Sequence, residues 1–179
     1  MTLEVEIKYR VKDKKKLITK LNLLGARFVV KTHLKDVYFS PHKGKRFIDP
    51  NPRLRIRNNM TDGTARLEYH IDQDSYSVVE TEVNVSDGQM MKLMLKNLDF
   101  REEGAVDKIR NSYQYKNINL DVDIVKGLGT FLEIELINPL NSKQAIRAIQ
   151  EVERDLSLSK NSVCQHGYLF MVLKKKGLL

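Results

Sequence analysis

Glu4, Glu6, Lys8 and Arg10 stand at every second position, as do Arg53, Arg55 and Arg57, then Arg66, Glu68 and His70, then Glu80 and Glu82. Lys108 with Arg110, Asp121 with Asp123 and Glu133 with Glu135 continue the pattern. On a β-strand, a spacing of two puts each set on one face. The residue types then call for two chemistries. Clustered arginine and lysine match phosphate oxygens, arginine through its planar fork and lysine as a point charge. Arg55 and Arg57 on one strand would have Cα atoms roughly 7 Å apart, a separation that suits neighbouring phosphoryl groups. Clustered carboxylates without a histidine or cysteine set suit a hard divalent cation, Mg²⁺ or Mn²⁺ rather than zinc. A metal-chelated polyphosphate satisfies both halves.

The elements that would carry these faces follow from period. Two-residue alternation predicts eight strands, at about Leu3 to Arg10, His33 to Ser40, Arg53 to Asn58, Thr64 to Ile71, Ser77 to Val85, Ala105 to Tyr115, Asn117 to Val125 and Thr130 to Ile137. Asp62-Gly63 and Gly127-Leu128-Gly129 read as hairpin turns. The segment from Pro41 to Pro52, with three of the four prolines, reads as a connecting loop. Helical spacing predicts a helix capped by Asp13 and ended by Gly25, with Leu17, Ile18, Leu21 and Leu24 inward. A second spans about Ser86 to Leu98, with Met90, Met91, Met94, Leu95 and Leu98 as its buried stripe. A third starts at Ser142 with Ala145, Ile146, Ile149, Val152 and Leu156 on one face, and the tail through Leu173 reads as a short last helix.

Residues between the charged positions, such as Ile109, Leu120, Val122, Leu132 and Ile134, are apolar and would seek those helices. The expected fold is therefore α+β: a closed eight-stranded antiparallel barrel, its lumen charged and its helices outside. Fixed charges so confined are costly unless paired, hydrated or neutralised, and rows of like charge cannot all be met by neighbours. Ligands would complete the balance. The competing architecture is an open sheet with each charged face in water; agreement among so many strands disfavours it. Leu3 to Ile7 resembles Leu132 to Leu136, each followed by an amphipathic helix, so residues 1–179 read as a single domain built from two related halves.

Composition excludes other classes. A formal charge of +8 points to anionic partners. The longest apolar run, Tyr168 to Leu173, is far short of the ~20 residues of a membrane helix. Glu4 and Glu6 spoil a signal peptide, and the one cysteine, Cys164, reads as a small buried side chain. A cytoplasmic protein without membrane attachment is expected. There is no Gly-x-x-x-x-Gly-Lys loop, no complete dinucleotide fingerprint after Gly127-x-Gly129 and no nucleophile elbow. His33, His42, His70 and His166 share no metal-ligand spacing, and Cys164-x-His166 alone is no zinc site.

Glu4-Val5-Glu6-Ile7-Lys8, followed in order by Asp36-Val37-Tyr38-Phe39, Leu54-Arg55-Ile56-Arg57, Glu80-Thr81-Glu82, Lys108-x-Arg110, Asp121 to Asp123, Leu128-Gly129 and Glu133-Ile134-Glu135, resembles the CYTH superfamily of triphosphate tunnel metalloenzymes. The resemblance spans nearly the whole chain and is strongest to the branch with class IV adenylyl cyclases and triphosphatases. It implies Glu4, Glu6, Glu133 and Glu135 as metal ligands and Lys8, Arg55, Arg57, Lys108 and Arg110 as triphosphate ligands, with Arg66 beside them on the strand pattern. Glu4, Glu6, Lys8 and His70 become the candidate catalytic groups. His70 stands where relatives carry lysine, and reads either as a proton donor or as a neutral spacer on the tunnel wall. The expected activity is Mg²⁺- or Mn²⁺-dependent hydrolysis of inorganic or organic triphosphate. Adenylyl cyclisation of ATP and non-catalytic binding of polyphosphate or RNA are the alternatives. Carboxylates among the basic strands disfavour nucleic acid; a small-molecule triphosphate is the expected partner, with a homodimer compatible.

Overall fold

The computed structural model describes residues 1–48 and 52–179. Its strands are β1 (Thr2–Val11), β2 (Arg27–Pro41), β3 (Arg53–Asn59), β4 (Ala65–Asp72), β5 (Ser77–Val85), β6 (Phe100–Tyr115), β7 (Ile118–Val125) and β8 (Gly129–Ile137). They pair antiparallel in the order β1-β5-β4-β3-β2-β6-β7-β8, and β8 pairs with β1, so the barrel closes. The helices are α1 (Lys14–Leu24), α2 (Gly88–Asn97), α3 (Ser142–Asp155) and α4 (Tyr168–Lys175). No helix among the described residues is long and apolar enough to cross a membrane.

The eight expected strands are all present, but β2 and β6 begin earlier than alternation indicates. Arg27 to Lys31 pairs with the far end of β6, and Phe28, Val29 and Val30 there are exposed consecutively. This end of β2 pairs with β6 alone and its side chains are exposed on both faces, so no buried face imposes a period of two. At the start of β6 the run Arg101-Glu102-Glu103 hides the alternation in the same way.

The outward faces meet the helices. Asp13 caps α1 by accepting from the Lys16 amide, and Gly25 ends it at φ 82°, a left-handed conformation that suits glycine. Leu17 and Leu21 of α1 and Ala145, Ile149 and Val152 of α3 pack on Val5, Ile7 and Tyr9 of β1, Leu120 and Val122 of β7, and Leu132, Ile134 and Leu136 of β8. The two similar segments are thus neighbours: β1 and β8 lie side by side with Glu6 opposite Glu135, and the helices that follow them share one core. The helix α2, capped by Asp87, corrects the sequence expectation. Only Leu95 is buried, Met91 packs beside it on the β2–β3 wall, and Met90, Met94 and Leu98 are exposed. A helix lying on the convex outside of a barrel touches it along a narrow line, so a stripe wider than one i, i+4 pair stays in solvent.

The last helix does not lie on the outside. Tyr168, Leu169, Val172 and Leu173 of α4 pack with Tyr38, Val106, Val125 and Phe131, which share strand faces with the charged residues. This helix therefore stoppers one end of the lumen. Gly104 makes room for it: a Cβ there would sit 3.3 Å from Leu169 Cδ1 and 3.5 Å from Leu173 Cδ2. The proline-rich loop also contributes, since Ile48 joins this cluster and the Phe47 amide donates to Ser40 Oγ. Pro41 itself ends β2, and residues 49–51 of the expected loop lie outside the described residues.

Inside the barrel, Asp36 of β2 and Arg57 of β3 are register partners and form a two-pronged ion pair, Nε to Oδ1 at 2.9 Å and Nη2 to Oδ2 at 2.8 Å. Burial alone would raise the Asp36 pKa; the guanidiniums of Arg57 and Arg55 hold it well below the usual carboxylate range.

Two stability outcomes follow from this packing. Ile149→Ala, which empties a fully buried site under α3, should lower unfolding free energy by about 3 kcal/mol in a denaturant titration; a loss below about 1 kcal/mol would show that α3 is not part of the cooperative core. Asp36→Asn strands the Arg57 charge and should cost about 3 kcal/mol at neutral pH. Because the folded-state pKa of Asp36 is depressed, its stabilisation is complete above the unfolded carboxylate value of ~4 and declines as pH falls below it. The gap between wild type and Asp36→Asn should hold from pH ~7 to ~5 and narrow in stronger acid; a gap that widens with acid would contradict this assignment.

Candidate functional site

The charged strand faces enclose a cavity of about 850 Å³, lined by Glu4, Glu6, Lys8, Arg55, Arg57, Arg66, His70, Glu80, Lys108, Arg110, Glu133 and Glu135, among others. All of the candidate residues named from sequence thus face one space. They are not equivalent within it.

The carboxylates divide into two groups. Glu4, Glu6 and Glu135 crowd together where β1 pairs with β8. Burial first, then the charge of Glu135 and of Glu80, pushes the Glu4 carboxyl up to about 10. Burial and the charge of Glu6 push Glu135 up to about 7, although Asn119 Nδ2 donates to its Oε2 at 3.2 Å. Like charges held this close must share protons or take up a cation. An all-oxygen carboxylate set of this kind fits Mg²⁺ or Mn²⁺. Glu133 is different. Lys8 Nζ lies 3.1 Å from its Oε1 and Arg110 Nη2 donates to its Oε2, so burial is outweighed and its pKa is held well below the ordinary value. The four expected metal ligands line the same cavity, with three of them crowded and the fourth engaged by two cations.

The basic residues are likewise partnered. Arg55 Nε donates to Glu68 Oε2 at 2.6 Å and its Nη1 to the Tyr38 hydroxyl at 3.2 Å. Lys108 Nζ donates to Asp123 Oδ2 at 2.7 Å, Arg110 binds Asp123 through Nε and Nη2 at 2.7 Å each, and Arg110 Nη1 lies 2.6 Å from Asp121 Oδ2. The Tyr168 hydroxyl of α4 completes Asp123 at 3.1 Å, while the Lys8 ammonium lies 4.3 Å from the Tyr168 ring centroid. Burial, then the neighbouring Arg110 charge, lowers the Lys108 pKa. Arg66 sits towards the rim, 38% exposed, paired with Glu82.

Rows of like charge, expected not all to be met by neighbours, differ by sign: the lining cations are met from within the protein, whereas Glu4, Glu6 and Glu135 face one another. Asp36, Glu68 and Asp123, exposed by 1%, 0% and 0%, form a buried acidic layer beneath the lining cations. Sequence reasoning placed Glu68 and Asp123 on charged faces without giving them this role, and Asp36 entered only through the family pattern. Tyr168 likewise entered only through the family pattern, as Gly167-Tyr168 where relatives carry Ser-Tyr, and that pattern does not say that the terminal helix enters the barrel end.

His70 lies between two acids, its Nε2 3.2 Å from Glu80 Oε1 and 3.5 Å from Glu68 Oε2. The other histidines stand apart from this group: His33 pairs with Asp107 at 2.7 Å and His166 stacks on Phe170 with ring centroids 3.8 Å apart. Cys164, expected in a core, is half-buried on the cavity lining, and its amide donates to the Lys8 carbonyl.

Comparison with known proteins agrees with this architecture. The CYTH domain matches residues 2–168. A Methanocaldococcus jannaschii protein provisionally named an adenylate cyclase is 34% identical over 172 residues, covering 93% of this chain and 97% of its own length. The structure of PH1012 from Pyrococcus horikoshii superposes with a TM-score of 0.85 at 28% identity, covering 93% of this chain and 97% of that one. A Hippeastrum protein, provisionally named an adenylyl cyclase and described as having a dominant triphosphatase activity, shares the fold at 14% identity, with a TM-score of 0.67 over 100% of this chain and 97% of that one. With a barrel, a charged lumen and a family match over almost its entire length, the chain belongs to the CYTH domain family.

Proposed function

We propose that the protein is a metal-dependent triphosphatase that hydrolyses inorganic triphosphate or an organic triphosphate and releases orthophosphate. One observation carries this reading. The lumen's cations are already balanced by its own carboxylates, and Glu4, Glu6 and Glu135 remain in excess. A polyanion can enter such a space only with divalent cations, and the excess carboxylates are oxygen ligands for them.

In this reading Glu4, Glu6 and Glu135, with Glu133 beside them, hold Mg²⁺ or Mn²⁺, which supplies positive charge at the phosphoryl oxygens and acidifies bound water. Lys8, Arg55, Arg57, Lys108 and Arg110 grip the phosphate oxygens, and Arg66 meets the triphosphate nearer the rim. The acidic layer keeps each fork aimed before substrate arrives, so little reorganisation accompanies binding. Glu6 takes the proton of the attacking water, and the departing phosphate oxygen is met by the lumen's cations. Cyclisation of ATP is the second reading, favoured by the provisional name of the Methanocaldococcus relative. It requires the ribose 3′-hydroxyl in line with the α-phosphate and a mostly apolar pocket for adenine. The aliphatic lining residues Ile7, Val78, Val163 and Leu169 stand against an ionic majority, which favours the triphosphatase reading.

The deciding experiment is a substrate panel with product identification. Orthophosphate from inorganic triphosphate, with little cyclic AMP from ATP, is expected in Mg²⁺ or Mn²⁺ and is lost in EDTA. Abundant cyclic AMP and pyrophosphate with inorganic triphosphate untouched would establish the cyclase, and salt-sensitive binding without turnover would establish a binding module. A second outcome concerns the crowded carboxylates. Glu4→Gln should reduce turnover on the order of 100-fold, while thermal stability stays level or rises because a like-charge contact is relieved. Unchanged kinetics at saturating metal would remove Glu4 from the site.

A further inference from the structure

We propose that the β4–β5 wall carries a second cation site, adjoining the Glu4, Glu6 and Glu135 cluster, in which His70 Nε2, Glu68 and Glu80 bind a divalent metal of the imidazole-accepting kind such as Co²⁺ or Zn²⁺. Among the described residues these three side chains form a group whose ligand atoms all lie within 4.8 Å of one another. The register explains the convergence. His70 is directly opposite Glu80 across the β4–β5 ladder, and Glu68 follows on the same face of β4 two residues away. All three side chains are buried, His70 at 7% exposure, Glu68 at 0% and Glu80 at 7%.

Burial alone would make this a packed ionic cluster, but two of its atoms lack partners. His70 Nε2 and Glu68 Oε1 have no hydrogen-bond partner, and both are closed off from solvent. A buried orphan loses its contact with water and gains nothing in return, so a native lumen rarely keeps two together. Each neighbour Nε2 faces is a carboxylate, at 3.2 Å and 3.5 Å, and neither meets hydrogen-bond geometry. With its lone pair on Nε2, a neutral imidazole is repelled by two carboxylates at this range, and a positive centre among the three side chains removes that repulsion and gives Nε2 a partner.

The cations around the group position it. Arg55 takes Glu68 Oε2 at 2.6 Å, Arg57 lies 3.5 Å from the same oxygen, and Arg66 Nε stands 3.5 Å from Oε1. Oε2 is thus committed to guanidinium while Oε1 keeps its lone pairs available. One nitrogen with two carboxylate oxygens suits borderline metals, which take imidazole readily, whereas Mg²⁺ prefers oxygen and retains water. The two sites should therefore separate by metal type. With a metal on Nε2, His70 has no proton to donate there, so this ion and the proton-donor role exclude each other. The metal site does not depend on which reaction the protein catalyses.

The test uses the full chain, stripped of metal, titrated with Co²⁺ in a large excess of Mg²⁺ that fills the oxygen-only cluster. Visible absorption and equilibrium dialysis should report one Co²⁺ bound to wild type and to Glu4→Gln, with binding weakened at least ~10-fold in His70→Gln. Equal Co²⁺ affinity in wild type and His70→Gln, or no Co²⁺ bound to wild type under Mg²⁺, overturns the proposal. Should His70→Gln fail to fold, the wild type decides by itself. In ¹H–¹⁵N spectra of the imidazoles, assigned through single substitutions of His33, His42 and His166, one equivalent of Zn²⁺ should shift His70 Nε2 ahead of the others. A His70 imidazolium that keeps both protons with Zn²⁺ present means that a proton, not a metal, fills the gap.

Discussion

Charge confined in a closed lumen is the constraint on which the rest of this structure depends. A barrel of eight strands gives each inward side chain little water, so a lone guanidinium or carboxylate there would cost several kcal/mol. The protein meets this with two layers. Asp36, Glu68 and Asp123 lie completely buried, and Arg55, Arg57, Lys108 and Arg110 sit over them towards the cavity. The β-ladder supplies the alignment, because Asp36 is the register partner of Arg57, Glu68 of Arg55 and Asp123 of Arg110.

The exterior answers to that arrangement. With every second side chain spent on ions, the apolar alternates must be covered from outside, and α1 and α3 do this over β1, β7 and β8. One stretch of the lumen is apolar, around Val106, Val125 and Phe131, and there α4 turns inward and shuts the barrel. Its Tyr168 joins the two zones, ring against Phe131 with centroids 5.1 Å apart and hydroxyl on Asp123. A helix that is structural by its packing thereby sets a residue of the ion network. The opposite case is α2, whose thin contact with the barrel leaves most of its methionines in solvent.

The carboxylates of β1 and β8 break the neutrality of the rest. Glu6 and Glu135 are paired across the ladder with Glu4 beside them, and at Glu4 and Glu135 burial and like charge outweigh the neighbouring cations. Neighbouring Glu133, one ladder step away, is doubly compensated. Two positions on the same face of one strand thus differ in charge balance, Glu135 facing like charge and Glu133 facing two cations.

Much of this was legible in the chain itself. A period of two requires only that one strand face be ionic and the other apolar, and Glu4-Val5-Glu6-Ile7-Lys8 states it in five residues, so the strands could be read locally and the closed barrel with its charged lumen from their agreement. The cap at Asp13 was equally local, and the choice of Asp87 over Ser86 as the cap of α2 was made by the fold. Tertiary structure decided which ions meet. Arg57 and Asp36 are 21 residues apart, Tyr168 and Asp123 are 45, and no spacing rule joins them. It also decided that α4 stoppers the barrel, that half of α2's apolar stripe stays wet, and that His70 faces Glu80 and Glu68. Pairing across strands is fixed by register, and register is settled by burial of the whole barrel at once rather than by any segment alone.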